Sequence, residues 1–323
     1  MTSSTNFLEL RVFGLQRSGN HAVIEWILDQ HQDKRTCFLN NVRHGDHDPY
    51  KTAEKMTLSG FGALSDAETV RITPKDVLIY SYEDDVSRLQ GRQFIAGIDD
   101  AQFEKNRMRY VGVSQYRMNI VILRDPFNFF ASRLKKLNRL TGVKDLDIIK
   151  QDWKLLAKRA LQMSNAGVSE GICVNYNRWF TAEKYRRRLS RALMGKFSDA
   201  SLNHVPSYGG GSSFDATVYA QLDLRIIRRK WRRLFDPKVY LNPRRYLHKF
   251  FAKGARRMKV LERWQELQND PSYRRIFRDR ELLDLSERLF GEMGGTREFV
   301  NGCAAEEFNH PDTGNEACPS ARR

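Results

Sequence analysis

The sequence predicts an α/β protein, a central parallel sheet flanked by helices with a basic helical region toward the C-terminus. Three observations predict it. Four short apolar segments (8–13, 77–82, 119–123 and 172–176) each end in polar or turn residues, as buried strands do. Helical patterns lie between them, and strands alternating with helices give a parallel sheet covered on both faces. The first strand passes through a glycine-bounded turn, Gly14 to Gly19, straight into an apolar-rich helix.

In chain order, the strand at 8–13 delivers the turn, and the helix over 22–29 follows it. Residues 37–39 are a candidate fifth strand. The strand at 77–82 ends in the carboxylates Glu83, Asp84 and Asp85. Residues 100–117 are polar and read as a connection. The strand at 119–123 ends at Arg124 and leads into a helix over 129–140, and a second helix covers 146–163. After the strand at 172–176, the run Tyr-Gly-Gly-Gly-Ser-Ser-Phe-Asp (208–215) is a loop. From 218 to 290 the pattern is helical and basic, closing with an amphipathic helix over 279–292. Residues 1–300 read as one domain, with 225–293 its basic helical part. Residues 301–323 are polar and aperiodic, an expected disordered tail.

Bulk properties narrow the function. The net charge is +16, and residues 225–259 hold fourteen Lys and Arg against the single acid Asp236. Such a stretch fits an acidic partner or a solvated helical face. Trp231, Tyr246 and Trp264 lie among arginines, which suits helix packing under snorkelling side chains better than nucleic-acid stacking, so nucleic acid is not an obligatory partner. No apolar run reaches the roughly 20 residues of a membrane span. Four scattered cysteines without a Cys-x-x-Cys pair, and no signal-peptide pattern, predict free thiols and a cytoplasmic protein.

Gly14 and Gly19 have the spacing of a P-loop, which gathers backbone N–H groups and a helix N-terminus into an anion site. It is not the loop of an ATPase, which carries Lys and then Ser or Thr after its second glycine. Here Asn20 and His21 occupy those positions, and the cation has moved inside as Arg17. The hydroxyl that would hold Mg²⁺ is missing, so the loop reads as a phosphate cradle that requires no metal. His44-Gly-Asp-His47-Asp48 lacks a further ligand at helical spacing and is not read as a metal site. In the second informative segment, a strand delivers Arg124, Pro126 suits a first helical turn, and Ser132 follows Arg124 by eight residues. A guanidinium and a hydroxyl can thereby meet one anion.

These two segments together resemble the sulfotransferases that use 3′-phosphoadenosine-5′-phosphosulfate (PAPS). Gln16-Arg17-Ser18-Gly19-Asn20-His21 is similar to that family's 5′-phosphosulfate loop, with Arg17 in place of its lysine. Arg124, Pro126 and Ser132 match its 3′-phosphate motif at the family's own spacing. Val174-Asn-Tyr176 resembles the strand whose tyrosine lies against the adenine, and the loop with Ser212 and Ser213 resembles the one that closes over the nucleotide. The resemblance runs from about residue 8 to 215, and more weakly to 293. It implies a P-loop-like three-layer fold and PAPS as donor, with Arg17, Ser18, Gly19, Asn20, His21, Arg124, Ser132, Tyr176, Ser212 and Ser213 holding it. It also implies in-line sulfuryl transfer to a hydroxyl or amine without a metal. Arg17 can stabilise charge on the leaving oxygen but, unlike lysine, does not hand over its proton. The family's catalytic histidine has no counterpart here: its slot falls near Tyr82. Glu83 is the expected base, with Asp84 behind it.

Two other readings stay open. A P-loop kinase or NTPase would use Glu83-Asp84 in the manner of a Walker B strand and would depend on metal. A non-catalytic binder of anionic polymer would act through 225–259, and its binding would fall steeply with salt. The acceptor (small molecule, glycan or peptide, an acidic one included) is not written in the sequence.

Overall fold

Apolar alternation in the strands decides the layers. In the computed structural model, which describes residues 5–61, 67–84, 101–136, 143–166, 171–202 and 261–309, six strands form one sheet. They are β1 (Thr5–Gly14), β2 (Thr36–Asn40), β3 (Lys55–Ser59), β4 (Val77–Tyr82), β5 (Val113–Leu123) and β6 (Ile172–Asn175), in the order β3-β2-β4-β1-β5-β6. All neighbours are parallel except β3, which runs antiparallel to β2 at the edge.

The described helices are α1 (Asn20–Asp29), α2 (Pro49–Thr52), α3 (Ala67–Ile72), α4 (Ala101–Val111), α5 (Pro126–Lys136), α6 (Val143–Ala166), α7 (Tyr176–Thr181), α8 (Glu183–Ala192), α9 (Pro271–Ile276), α10 (Arg280–Phe290) and α11 (Thr296–Asn309). A 3₁₀ turn spans Arg263–Leu267. Leu8, Leu10 and Val12 of β1 and Val77 and Ile79 of β4 face α1, α7 and α8 through Ile24, Trp26, Trp179 and Leu189. Phe13, Leu78, Tyr80 and Tyr82 point the other way, into a core completed by Phe103, Phe130, Trp153 and Leu282. The expected α/β class, helices on both faces of a mainly parallel sheet, is the one observed. No helix among the described residues is long and apolar enough to cross a membrane.

The differences have local causes. β3 has exposed ends and a half-buried middle, so it carries no apolar run to reveal it. The polar connection at 100–117 is instead α4 and the first half of β5. Only Phe103 and Val111 of α4 are buried, too few to print a period. Helix α5 starts at Pro126 rather than 129 because Asp125 caps it, its Oδ1 accepting from Asn128 N at 2.8 Å. Strand β6 stops one residue early, because the Asn175 side chain caps α7 by accepting from Arg178 N at 3.0 Å. The expected tail begins in helix, since α11 runs through Asn309 with Phe299 and Cys303 buried. Residues 310–323 lie outside the described residues. Cys37, Cys173 and Cys303 are free thiols.

Polar α4 is held by charge. Fully buried Glu9 accepts from Tyr80 Oη, Arg107 Nη1 and Ser114 Oγ, each at 2.6 Å, and from Arg117 Nε at 3.1 Å. Glu104 of α4 answers Arg11 and Arg117. Removing one member of such a cluster leaves buried charge and hydroxyls unpaired. Glu9→Ala is therefore expected to cost about 3 kcal/mol, read as a lower urea midpoint. A shift below about 0.5 kcal/mol, the range of ordinary surface changes, would show that the cluster contributes little.

Candidate anion site at the carboxyl end of the sheet

Parallel pairing brings the functional segments together. Phe13 lies beside Tyr82 and Val121, Gly14 beside Ile122, and Leu123 beside Asn175. Each strand then releases its chemistry at the same edge: the loop 15–19 from β1, Glu83 and Asp84 from β4, Arg124 from β5, and Tyr176 after β6.

The loop is tightly specified. Arg17 has φ +78° and Gly19 φ +91°, both left-handed. For Arg17 that conformation costs on the order of 1–2 kcal/mol, which the surrounding bonds must hold. A Cβ on Gly19 would fall 2.1 Å from Tyr176 Cε2, so only glycine lets the ring approach. Ser18 N donates to Leu15 O at 3.0 Å, closing the turn. No side chain caps α1 at Gly19, and a first helical turn leaves its N–H groups without intrahelical partners. The Ser18 side chain is buried, and its Oγ has no hydrogen-bond partner among the described residues.

Asn20 is structural in its side chain. Its Nδ2 reaches Gly14 O at 3.0 Å, Leu15 O at 3.1 Å and Glu83 Oε1 at 2.9 Å. Both N–H groups of the amide are thereby committed while its Oδ1 is buried without a hydrogen-bond partner among the described residues, so the backbone N–H is the donor Asn20 offers an anion. His21 Nε2 donates to Asn40 Oδ1 at 3.1 Å and stands 3.8 Å from Glu83 Oε1. Glu83 keeps a side-chain exposure of 11%. Its backbone N donates to Asn41 Oδ1, and its carbonyl accepts from His44 Nε2 at 3.2 Å. Burial pushes the His44 imidazole down from its ordinary range, against the opposing pull of that carbonyl.

The second motif meets the first. Arg17 Nε donates to Ser132 Oγ at 3.3 Å, and Arg124 Nη1 donates to Arg17 O at 3.3 Å. Arg124 is 3% exposed, its Cζ 5.3 Å from the centre of the Tyr176 ring, and Trp153 Nε1 fixes its carbonyl at 3.0 Å. Burial lowers the Arg124 pKa, Tyr176 and Asp125 oppose the shift, and Arg263 and Arg17 add to it. Arg17 is lowered likewise by burial, then by Arg263 and Arg133, with Glu83 opposing. Three guanidiniums, those of half-buried Arg17 and of buried Arg124 and Arg263, thus repel one another in one place, an arrangement that an anion relieves.

Sequence reasoning missed Arg263. It lies just beyond the basic stretch at 225–259, where one arginine does not stand out. Its segment is brought in by Asn128, which donates from Nδ2 to Leu261 O at 3.0 Å and accepts from Trp264 N at 3.3 Å. Tyr176, expected on a strand, opens α7 instead. It is 6% exposed and packs against Trp179, Phe180 and the loop glycine. Ser212, Ser213 and the stretch 225–259 lie outside the described residues.

Orphaned Ser18 Oγ, the uncapped start of α1 and the three guanidiniums fit a ligand with phosphate or sulfate groups. No protein-family model matches the chain, and neither does any curated protein. Among solved structures, it is similar to the sulfotransferase domain of the Synechococcus PCC 7002 olefin synthase. The TM-score is 0.38 at 12% identity, over 73% of this chain and 98% of that one. A likeness so loose says nothing of activity.

Proposed function

We propose that the chain is a sulfotransferase that takes a sulfuryl group from PAPS to a hydroxyl or amine of a small molecule, glycan or peptide. The observation that carries this reading is the meeting of Arg17, Arg124 and Ser132 beside an uncapped helix start. The nucleotide, when bound, supplies an activated sulfuryl group on a phosphate leaving group. Arg17, with the N–H groups of 18–21, would carry the negative charge that grows on the departing oxygen as its bond to sulfur breaks. Arg124 and Ser132 would hold the 3′-phosphate, with Arg263 beside them. Glu83, at the mouth of the same loop, would take the proton that the acceptor loses as its oxygen or nitrogen bonds to sulfur. A kinase reading is disfavoured by Asn20: where a P-loop lysine would reach phosphate, its side chain is tied to two carbonyls and Glu83.

The test is calorimetric titration with adenosine 3′,5′-bisphosphate beside AMP, ADP and ATP, with and without Mg²⁺. Tight binding that needs the 3′-phosphate and ignores Mg²⁺ is expected. Preference for ATP with Mg²⁺ would favour a kinase, and no nucleotide binding would move the weight to the basic stretch at 225–259. Glu83→Gln should keep bisphosphate affinity within about threefold while turnover falls about 10²-fold or more. The amide keeps an oxygen for Asn20 but cannot accept the proton. Unchanged turnover in this variant would remove Glu83 as the base.

A further inference from the structure

Asp84 follows Glu83 directly but takes different partners. It is fully buried, its Oδ1 accepting from the backbone N–H of Gln16 and its Oδ2 paired with Arg133 Nη2 of α5. Arg133 closes a ring, its Nη1 reaching Gln16 O at 3.4 Å and Gln16 Oε1 at 3.3 Å. Gln16 is the residue before Arg17, where the backbone turns left-handed. One carboxylate therefore fixes the amide that enters the strained turn, and one guanidinium fixes the carbonyl that leaves the same residue. Asp84 is thereby spent on the loop and is not available to an acceptor as a reserve base.

We propose that Asp84 and Arg133 form a latch that holds the anion-binding loop in its left-handed conformation, so that the loop's affinity depends on the Asp84 carboxylate. The inference rests on the donor-site reading only for the identity of the ligand. The charged groups facing Asp84 are Arg133 from α5 and Glu83 from its own strand end, and the loop presents the Gln16 N–H. Burial pushes the Asp84 carboxyl up to about 6, with Arg133 and the Gln16 N–H pulling it down and Glu83 adding to the rise. Arg133 and the Gln16 N–H favour the charged form against burial, so a carboxyl that stays buried without them holds its proton more tightly, and the latch loosens as pH falls through about 6.

The sign separates this from acid unfolding. A carboxyl raised in the folded state binds its proton more readily folded than unfolded. Between the ordinary value of 3.8 and about 6, this group therefore adds stability as pH falls. Loop order is lost there without loss of the fold from this source. Asp84 and Arg133 are positioning residues, and a merely structural pair would not separate the two effects.

The experiment is hydrogen exchange across residues 15–19 without ligand, together with bisphosphate titration at pH 7 and pH 5. It compares wild type, Asp84→Asn and Arg133→Gln. The asparagine keeps the size of Asp84 but turns an N–H toward Arg133 or gives up the Gln16 bond. Faster loop exchange and a roughly tenfold weaker affinity at pH 7 are expected in Asp84→Asn. Its affinity should also change less between the two pH values than that of wild type, a difference in which the ligand's own titration cancels. Arg133→Gln gives the same loop readout by a second route should the first variant fold poorly. Loop exchange unchanged in both variants overturns the latch. Wild type that binds no bisphosphate overturns the donor-site reading instead, while the exchange data still decide the latch.

Discussion

Arg17→Ala is expected to reduce turnover at saturating donor by about 10²- to 10³-fold, the cost of removing one preorganised donor from a developing oxyanion. The loss of donor affinity should be smaller, because Arg124, Arg263 and the start of α1 still hold the phosphates. The backbone offers a control. Arg17 sits at φ +78° and carries its side chain to Ser132. Lysine at this position keeps the backbone cost and the charge and loses the fork. Arg17→Lys should therefore recover much of the rate, and can also deliver a proton to the leaving oxygen, which a guanidinium does not. Steady-state kcat and KM decide the matter. An alanine variant with normal kcat and a raised KM would make Arg17 a binding residue only.

Arg124→Ala should act on binding. A charge-assisted contact in a buried site contributes about 1.5–3 kcal/mol, or roughly 10- to 150-fold in affinity. The loss should fall on ligands with a 3′-phosphate, so that the preference for adenosine 3′,5′-bisphosphate over AMP shrinks by that factor in the variant. Calorimetry with both ligands checks this. Arg124 also braces the loop through Arg17 O and stacks on Tyr176. If the variant weakens both nucleotides by the same factor, Arg124 serves the loop's shape and not the 3′-phosphate.

The strand, turn and helix around residues 8–29 are legible because their whole logic is local: apolar alternation, two glycines, an apolar helix face. The pair Arg124 and Ser132 is legible for the same reason, since a strand end and a helix set their spacing. What joins the two motifs is not local. The Arg17–Ser132 bond and the Asp84–Gln16–Arg133 ring cross the sheet edge between segments far apart in the chain. No periodicity records such a crossing. The same limit hides Arg263, which owes its place to Asn128. It also hides α4, whose anchor is the Glu9 ion cluster and not an apolar stripe. Asn20 was visible as a departure from a P-loop, but its part in tying Glu83 to the loop required the fold. Glu83 and Asp84 look alike in sequence; only their partners separate them, Asn20 for Glu83 and the Gln16 N–H with Arg133 for Asp84.

The close approach of Gly19 to Tyr176 ties together the mutational histories of two distant positions. A side chain at 19 has room only after the ring at 176 has shrunk. A smaller residue at 176 in turn leaves a gap beside Trp179 and takes the ring from over Arg124. Either change made first is harmful, and the pair together removes the clash but still leaves a side chain at 19 in a left-handed conformation, φ +91°. Lineages descended from this chain are therefore expected to keep both residues, and a library that varies one site at a time will find each of them immovable.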